Sequence, residues 1–308
     1  MNLTPLQHLI PHYYAKGQLW EHLKGRIIEA QERRSRERAA LRSPEALAAY
    51  AAEFRERLLQ RFGGWPGPVG EAPRVTVTGQ LERPGYRVEK LLLETRPGVL
   101  ATANFYVPDS LREPGAAVLF LCGHSTEGKA GGRYRLLSHR LARRGLAVLI
   151  LDPAGQGERF GYYDAASGAT RIRCGTGEHE YVGAQCTVRG ENLSRYLAHD
   201  AVRAVDFLCA DPRVDAKRIG ITGSSGGGTQ TLLLMALEPR LAAAAPTTSL
   251  SSRLAIFDSG IGQDAEQIWP GFSRDGYDHA DFLAAFAPKP VSVQSVTYDF
   301  FPIEGTRE

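Results

Sequence analysis

The pentapeptide Gly223-Ser224-Ser225-Gly226-Gly227 constrains this chain more than any other feature. It is the only G-x-S-x-G in 308 residues, set between the apolar run RIGIT and the helix-forming run GGTQTLLLMALE. A strand that turns at once into a helix holds the apical residue in a strained conformation. Side chains two places before and two after that apex would collide, so glycine is needed at Gly223 and Gly227. Ser225 at the apex then projects its hydroxyl from the sheet edge, and the N–H of Gly226 faces any oxyanion formed there. In a chain with 33 glycines the pattern means little alone, and the flanking strand and helix give it weight. The competing reading is a glycine-rich turn that merely packs a helix on a strand. Ser224 is read as a serine that hydrogen-bonds locally.

The surrounding periodicity agrees with a strand–turn–helix. Val75 and Val77, Tyr86 to Thr95 and Val99 to Val107 alternate with period two, with turns at Pro84-Gly85 and Pro97-Gly98, and predict antiparallel strands. Apolar strands then alternate with helices. Strands are predicted at 117–122, 146–152, 218–222, 241–245 and 291–297, and helices at 134–144, 193–210 and 227–237. Near-continuous apolar strands separated by helices imply a parallel sheet covered on both faces. An antiparallel start feeding such a sheet is the order of the α/β-hydrolase fold.

Residues 1–62 read as helical. Ser43-Pro44-Glu45 supplies a capping hydroxyl, a first-turn proline and an acid at the positive helix end, and Leu47, Tyr50, Phe54, Leu58 and Phe62 follow at helical spacing. The expected organisation is an N-terminal helical extension over 1–66 and an α/β-hydrolase domain over 67–308. Residues 153–192 interrupt the alternation with eight glycines, three tyrosines and the charged run Glu178-His179-Glu180. Following a strand's C-terminal end, this stretch is read as a lid or pocket wall, against a mobile surface loop.

Composition excludes more than it assigns. With 43% hydrophobic and 23% charged residues the chain can bury a large core, and a net charge of +3 gives no reason to expect nucleic acid or an anionic membrane. No apolar run is long enough to span a bilayer, and the N-terminus lacks a secretory pattern, so a cytoplasmic location is expected. Cys122 and Cys209 sit in apolar runs and read as buried thiols. Cys174 and Cys186 could pair, but a reducing compartment disfavours it. His279 with Asp278 and Asp281, or Cys174, His179 and Cys186, have metal-ligand chemistry without a known ligand spacing. They are read as charged loop residues, so no metal and no cofactor is expected.

A second oxyanion donor should come from the loop after an earlier strand, and LCGHSTEGK provides one. Gly123 allows close backbone approach, and the N–H of His124 is the expected donor. The rival, His124 as catalytic base, conflicts with the chain order Ser, then Asp or Glu, then His. Several collinear stretches from about residue 117 onward resemble the acetylxylan-esterase-like α/β-hydrolases, a group that includes dienelactone-hydrolase-like proteins. They are LCGHSTEGKA, LDPAGQGER, GEHEYVGAQC, RGENLSRYLAHDAVRAVDFL, RIGITGSSGGGTQT, DAEQ at 264–267, DHADFLAAFAPKP and YDFFPIEGT. The resemblance implies Ser225 as nucleophile, Asp299 as triad acid and the Gly123-His124 loop as part of the oxyanion hole. Asp299 also makes sense unaided, since it follows the strand PVSVQSVTY and could orient an imidazole.

Members of that family carry the catalytic histidine some tens of residues beyond this acid, after one more strand. Glu308 lies nine residues past Asp299, so the last strand, its helix and that histidine fall outside these 308 residues. His279 is the nearest alternative. The expectation is weak serine-hydrolase activity for the 308 residues alone and an apolar sheet edge near Thr297, open to a second copy or a second chain. A shortened gene, a split protein and a non-catalytic descendant all fit. The expected reaction is hydrolysis of a carboxylic ester through an acyl-enzyme, with acetylated carbohydrate as substrate on family analogy. A peptidase of the prolyl-oligopeptidase type and a non-catalytic binding module are the alternatives.

Overall fold

The computed structural model describes residues 15–111 and 114–308. The first part of the expected N-terminal helical segment, residues 1–14, lies outside the described residues. Two helices, α1 (Ala15–Ala39) and α2 (Pro44–Phe62), precede the sheet. Ser43 accepts a hydrogen bond from Ala46 N at 3.1 Å, and Gly63, at φ 85°, closes α2 in the left-handed conformation. Tyr50, Phe54, Leu58 and Phe62 are the buried face of α2. Three of them, Phe54, Leu58 and Phe62, belong to the core beneath the main sheet.

That sheet has seven strands: β1 (Arg74–Arg83), β2 (Tyr86–Arg96), β3 (Val99–Pro108), β4 (Gly115–Leu121), β5 (Ala147–Leu151), β8 (Val214–Ser224) and β9 (Ala243–Thr247). Their order is β1-β2-β3-β5-β4-β8-β9. The first three strands pair antiparallel, as does β3 with β5, while β5, β4, β8 and β9 run parallel. This is the α/β-hydrolase fold. Both faces are buried, and the period-two pattern sorts the side chains. In β4 and β5, Ala117, Leu119, Leu121, Ala147, Leu149 and Leu151 enter a core closed by α2, α5 (Leu193–Ala210), α6 (Gly226–Leu237) and α8 (His279–Phe286). Phe120, Val148 and Ile150 point the other way, against α3 (Gly132–Ala142). Every residue of α6 is buried, which explains a helix apolar all round.

Two elements differ from the sequence expectation. Residues 153–192 are not irregular throughout. They contain a short hairpin, β6 (Tyr163–Asp164) and β7 (Ala169–Thr170), and a 13-residue helix, α4 (Thr176–Val188). Glu178 and His179, expected in a charged solvated run, are buried, and only Glu180 is exposed. The buried face of α4 is Glu178, His179, Gly183 and Cys186, helically spaced but lacking the apolar residues that advertise a helix.

The second difference is the segment 291–297, which makes isolated parallel bridges to β9 at Val291 and Gln294 instead of a continuous strand. Ser292 N donates to Ala244 O, Gln294 N to Pro246 O, Ala244 N to Pro290 O and Thr248 N to Gln294 O. Between them stands Pro246, which has no N–H to donate, so the ladder is broken where it would otherwise become regular. Beyond the sheet, α7 (Arg253–Ser259) and the terminal turn α9 (Glu304–Arg307) complete the order. All four cysteines are free thiols, with Cys122 and Cys186 buried and Cys209 and Cys174 partly exposed. Among the described residues no helix is long and apolar enough to cross a membrane.

Candidate active site

β8 runs into α6 at Ser225, whose backbone sits at φ 57° and ψ −121°. Among the described residues only Thr248, at φ 49°, shares a positive φ without being glycine. The two strained residues support each other. Ser225 N donates to Thr247 O at 3.0 Å and to Thr248 Oγ1 at 3.2 Å, and Ser224 Oγ lies 2.9 Å from Thr248 Oγ1. Such a conformation costs about 1–3 kcal/mol and persists only where its surroundings enforce it. A Cβ on Gly223 would lie 2.3 Å from Gly227 O, one on Gly227 2.1 Å from Leu121 O, and one on Gly123 2.2 Å from Ser224 O. Backbone therefore touches backbone at three places around the turn, and none tolerates a side chain. Thr248 was not singled out in the sequence. Nothing in the polar run TTSLSS at 247–252 distinguishes a threonine that buttresses a turn after another strand.

Two of the expected donors have N–H groups without a hydrogen-bond partner among the described residues. Gly226 opens α6, so its N–H has no partner within the helix. The N–H of His124 makes no hydrogen bond to a described residue. Gly123 differs, because its N–H donates to Tyr134 Oη at 2.8 Å and is not free to bind an oxyanion. Its part is the absence of a side chain. A cavity of about 360 Å³ opens here, lined by Ser225, His124, Asp264 and Gln267, by Thr176 and Glu180 of α4, and by Phe300 and Phe301.

Asp299 immediately precedes the two phenylalanines of that lining. Its Oδ1 accepts from Phe300 N at 2.6 Å, while its Oδ2 is buried with no partner. No hydrogen bond joins Asp299 or Ser225 to a histidine among the described residues. His279 is packed in the core against Trp269 and Phe282, where its Nδ1 accepts from Ser251 N. Burial, with Arg253 adding to it, pushes His279 down to about 3, so it is a neutral structural imidazole.

The structure also brings together four residues that the sequence did not connect. His124, from the loop after β4, meets His179 of α4 and the pair Asp264 and Glu266. His179 thus belongs to a cluster, but with these three and not with Cys174 and Cys186. His124 Nε2 lies 2.9 Å from Asp264 Oδ2 and 3.1 Å from His179 Nδ1, and His179 Nδ1 lies 3.3 Å from Asp264 Oδ2. Burial lowers both imidazoles, but hydrogen bonding and the charges of Asp264 and Glu266 outweigh it. His179 stands at about 9 and His124 above its ordinary value. Burial raises the Asp264 carboxyl, yet the two imidazoles bring it to about 2. Burial and the neighbouring Asp264 raise Glu266.

Local chemistry holds this pair in place. Asp264 Oδ1 accepts from Glu266 N at 3.0 Å, while Ser194 Oγ at 2.7 Å and Trp269 Nε1 at 3.0 Å donate to Glu266 O. A Cβ on Gly183 would lie 2.1 Å from Ala265 Cβ, so α4 rests directly on this loop. The stretches LCGHSTEGKA, GEHEYVGAQC and DAEQ carry all four residues, and that was the one available signal.

The sheet order and the strained serine between β8 and α6 define a protein of the α/β-hydrolase class. Residues 80–254, more than half of the chain, match the family described as acetyl xylan esterase (AXE1), and the chain belongs to that family. YtaP of Bacillus subtilis (strain 168), a protein described as a hydrolase, is 27% identical over 203 residues, covering 62% of this chain. The match spans 61% of YtaP, so the chain corresponds to about three-fifths of that relative's length. Among solved structures, a protein described as an acetyl xylan esterase from Bacteroides fragilis NCTC 9343 aligns with a TM-score of 0.68 at 17% identity. That alignment covers 82% of this chain and 69% of the other. A methylesterase aligns with a TM-score of 0.65 at 26% identity, covering 89% of this chain and 56% of its own.

Proposed function

We propose that this chain carries the nucleophile, oxyanion donors and acid of a serine esterase acting on carbohydrate esters, with acetyl groups the first candidate. The observation that supports the reading is the backbone of Ser225, at positive φ where β8 meets α6, beside glycines whose Cβ would strike main-chain atoms. In this mechanism Ser225 Oγ attacks the ester carbonyl and its proton passes to a base. The N–H groups of Gly226 and His124 receive the developing oxyanion. The alcohol then leaves, and water hydrolyses the acyl-enzyme. Asp299 is assigned as the acid that orients the base, in keeping with its unpartnered buried Oδ2. The insertion 153–192 forms one wall of the pocket through Thr176 and Glu180. The free thiols fit a reducing, cytoplasmic setting.

No described histidine is hydrogen-bonded to Ser225, so among the described residues the serine has no hydrogen-bonded base. Loss of a triad member leaves a residual rate about 10³–10⁴-fold over water, supplied by the oxyanion hole and binding. Slow acylation of Ser225 by p-nitrophenyl acetate or a fluorophosphonate, abolished in Ser225→Ala, is the expected result. Equal labelling of wild type and Ser225→Ala contradicts the assignment. A fast burst in the 308-residue chain contradicts the missing base. The likeness to a methylesterase at 26% identity favours a second reading, in which the ester is a methyl uronate. Release of acetate or of methanol from the corresponding polysaccharides separates the two.

A further inference from the structure

We propose that His124, His179, Asp264 and Glu266 form a four-ligand site for a divalent transition-metal ion of the zinc type, set in the wall of the Ser225 pocket.

The first argument is shape. Zinc holds nitrogen and oxygen ligands at about 2.0–2.2 Å in a tetrahedron, which sets its ligands roughly 3.3–3.6 Å from one another. Four separations here are 2.9, 3.1, 3.3 and 3.5 Å, and a fifth, between His179 Nδ1 and Glu266 Oε2, is 3.9 Å. Ligand atoms from all four residues lie within 4.8 Å of one another. They come from three separate segments, so no local turn enforces this convergence.

The second argument is that Glu266 has no other partner. The residue is 1% exposed, yet neither carboxylate oxygen accepts a hydrogen bond, although both face the imidazoles. A buried carboxylate without donors is costly, and buried charges are normally paired or bound to metal. A third feature lies behind His179. Its Nε2 lies 3.0 Å from the carbonyl of Ala154, to which it donates, leaving the lone pair of Nδ1 directed at the cluster centre. An outer carbonyl fixing the tautomer is the usual support of a metal-bound histidine. Two ring nitrogens 3.1 Å apart can share a single proton between them, but both can donate to one cation.

Two neutral imidazoles and two carboxylates bring two negative charges, which a divalent ion neutralises. Mixed nitrogen and oxygen donors favour zinc-like ions over calcium or magnesium, which take oxygen. Such an ion ties α4 to the oxyanion loop and to the loop at 264–266. A Cβ on Gly226 would lie 2.5 Å from Glu266 Oε1 and 2.9 Å from His124 Cε1, so the site adjoins the elbow itself. The rival occupant is protons alone, in a hydrogen-bonded histidine–carboxylate network.

Zn²⁺ titration of the chelator-stripped 308-residue protein, read by elemental analysis and by Tm, tests the proposal without any ester being hydrolysed. One equivalent per chain, a raised Tm, and the intense visible absorption of tetrahedral Co²⁺ on cobalt substitution are expected. His179→Gln and Glu266→Gln should each lose the bound equivalent, whereas Cys174→Ser should keep it. A folded wild-type chain that binds no Zn²⁺ overturns the site and leaves the proton network. So does a six-coordinate Co²⁺ spectrum, or an unchanged stoichiometry in Glu266→Gln. Should a ligand variant fail to fold, the wild-type stoichiometry and the Co²⁺ spectrum decide the matter. These readouts are independent of Ser225, so failure here leaves the esterase reading standing.

Discussion

The elbow at Ser225 and the cluster around His179 lie on the same pocket but are built in opposite ways. The elbow is made mostly of backbone. Its strand, helix and glycine pattern lie together in one short run of sequence, and main-chain atoms of Leu121 and Thr247 close around it. The cluster is made of side chains delivered by the loop after β4, by α4 and by the loop at 264–266. A turn whose glycine pattern is local can be read from a pentapeptide. A constellation drawn from three segments 55 to 142 positions apart becomes visible only when the chain has packed.

The comparison is most severely tested at Gly227. An alanine there places Cβ 2.1 Å from a main-chain oxygen that cannot move alone. Gly227→Ala should cost at least about 3 kcal/mol of stability, measured by urea denaturation, and a near-neutral result would show that the elbow is soft. Gly226→Ala is the informative contrast, because the atoms it meets are the side chains of Glu266 and His124. Its stability cost should be smaller, about 1 kcal/mol, while Zn²⁺ affinity falls sharply. The reverse ranking would break the distinction between a backbone site and a side-chain site.

Thr248 probes the support between the two strained residues. Thr248→Ala removes the hydroxyl that contacts Ser225 N and Ser224 Oγ, and should cost about 1–2 kcal/mol with slower acylation of Ser225. Thr248→Ser should restore both. If serine does not rescue, the methyl group and not the hydroxyl holds the turn.

The smallest effect concerns pH and the buried His279. Its pKa lies at about 3 in the fold, against an ordinary value near 6.5, because of burial and then Arg253. The unfolded chain therefore takes up a proton below pH 6.5 while the native chain does not. The stability contributed by neutral His279 is complete above pH 6.5 and declines as the pH falls toward 3. Asp278, raised to about 6 by burial, works the other way between 6 and 3.8 and damps the slope. The Tm of His279→Gln minus that of wild type should become more positive from pH 7.5 to pH 5. A flat or falling difference would place His279 in contact with solvent.

Much of the fold was legible before any coordinates. The helix expected over 193–210 has those bounds in the fold, where Asn192 caps it and residues 197–206 are buried on every side. The strands β4, β5 and β8 announced themselves as apolar runs, as strands buried on both faces do. Helix α4 stayed hidden because its inward face is built from Glu178, His179, Gly183 and Cys186, chosen for contact with a polar cluster and a tight loop. The strand expected over 291–297 was overextended for a related reason. Its β-branched residues suit a ladder, but its partner strand contains Pro246.

Sequence alone was enough for the parallel sheet, the strained serine and the glycines of its pentapeptide, since each leaves a periodicity or a motif among near neighbours, whereas the contacts of Gly227 with Leu121 O and of Gly123 with Ser224 O cross between strands. Packing was needed to show that Gly123 has its N–H engaged by Tyr134, that Thr248 supports the elbow, and that two histidines and two carboxylates converge beside Ser225. Those contacts join positions far apart in the chain, and an electrostatic or steric fit across such distances leaves no local pattern to read.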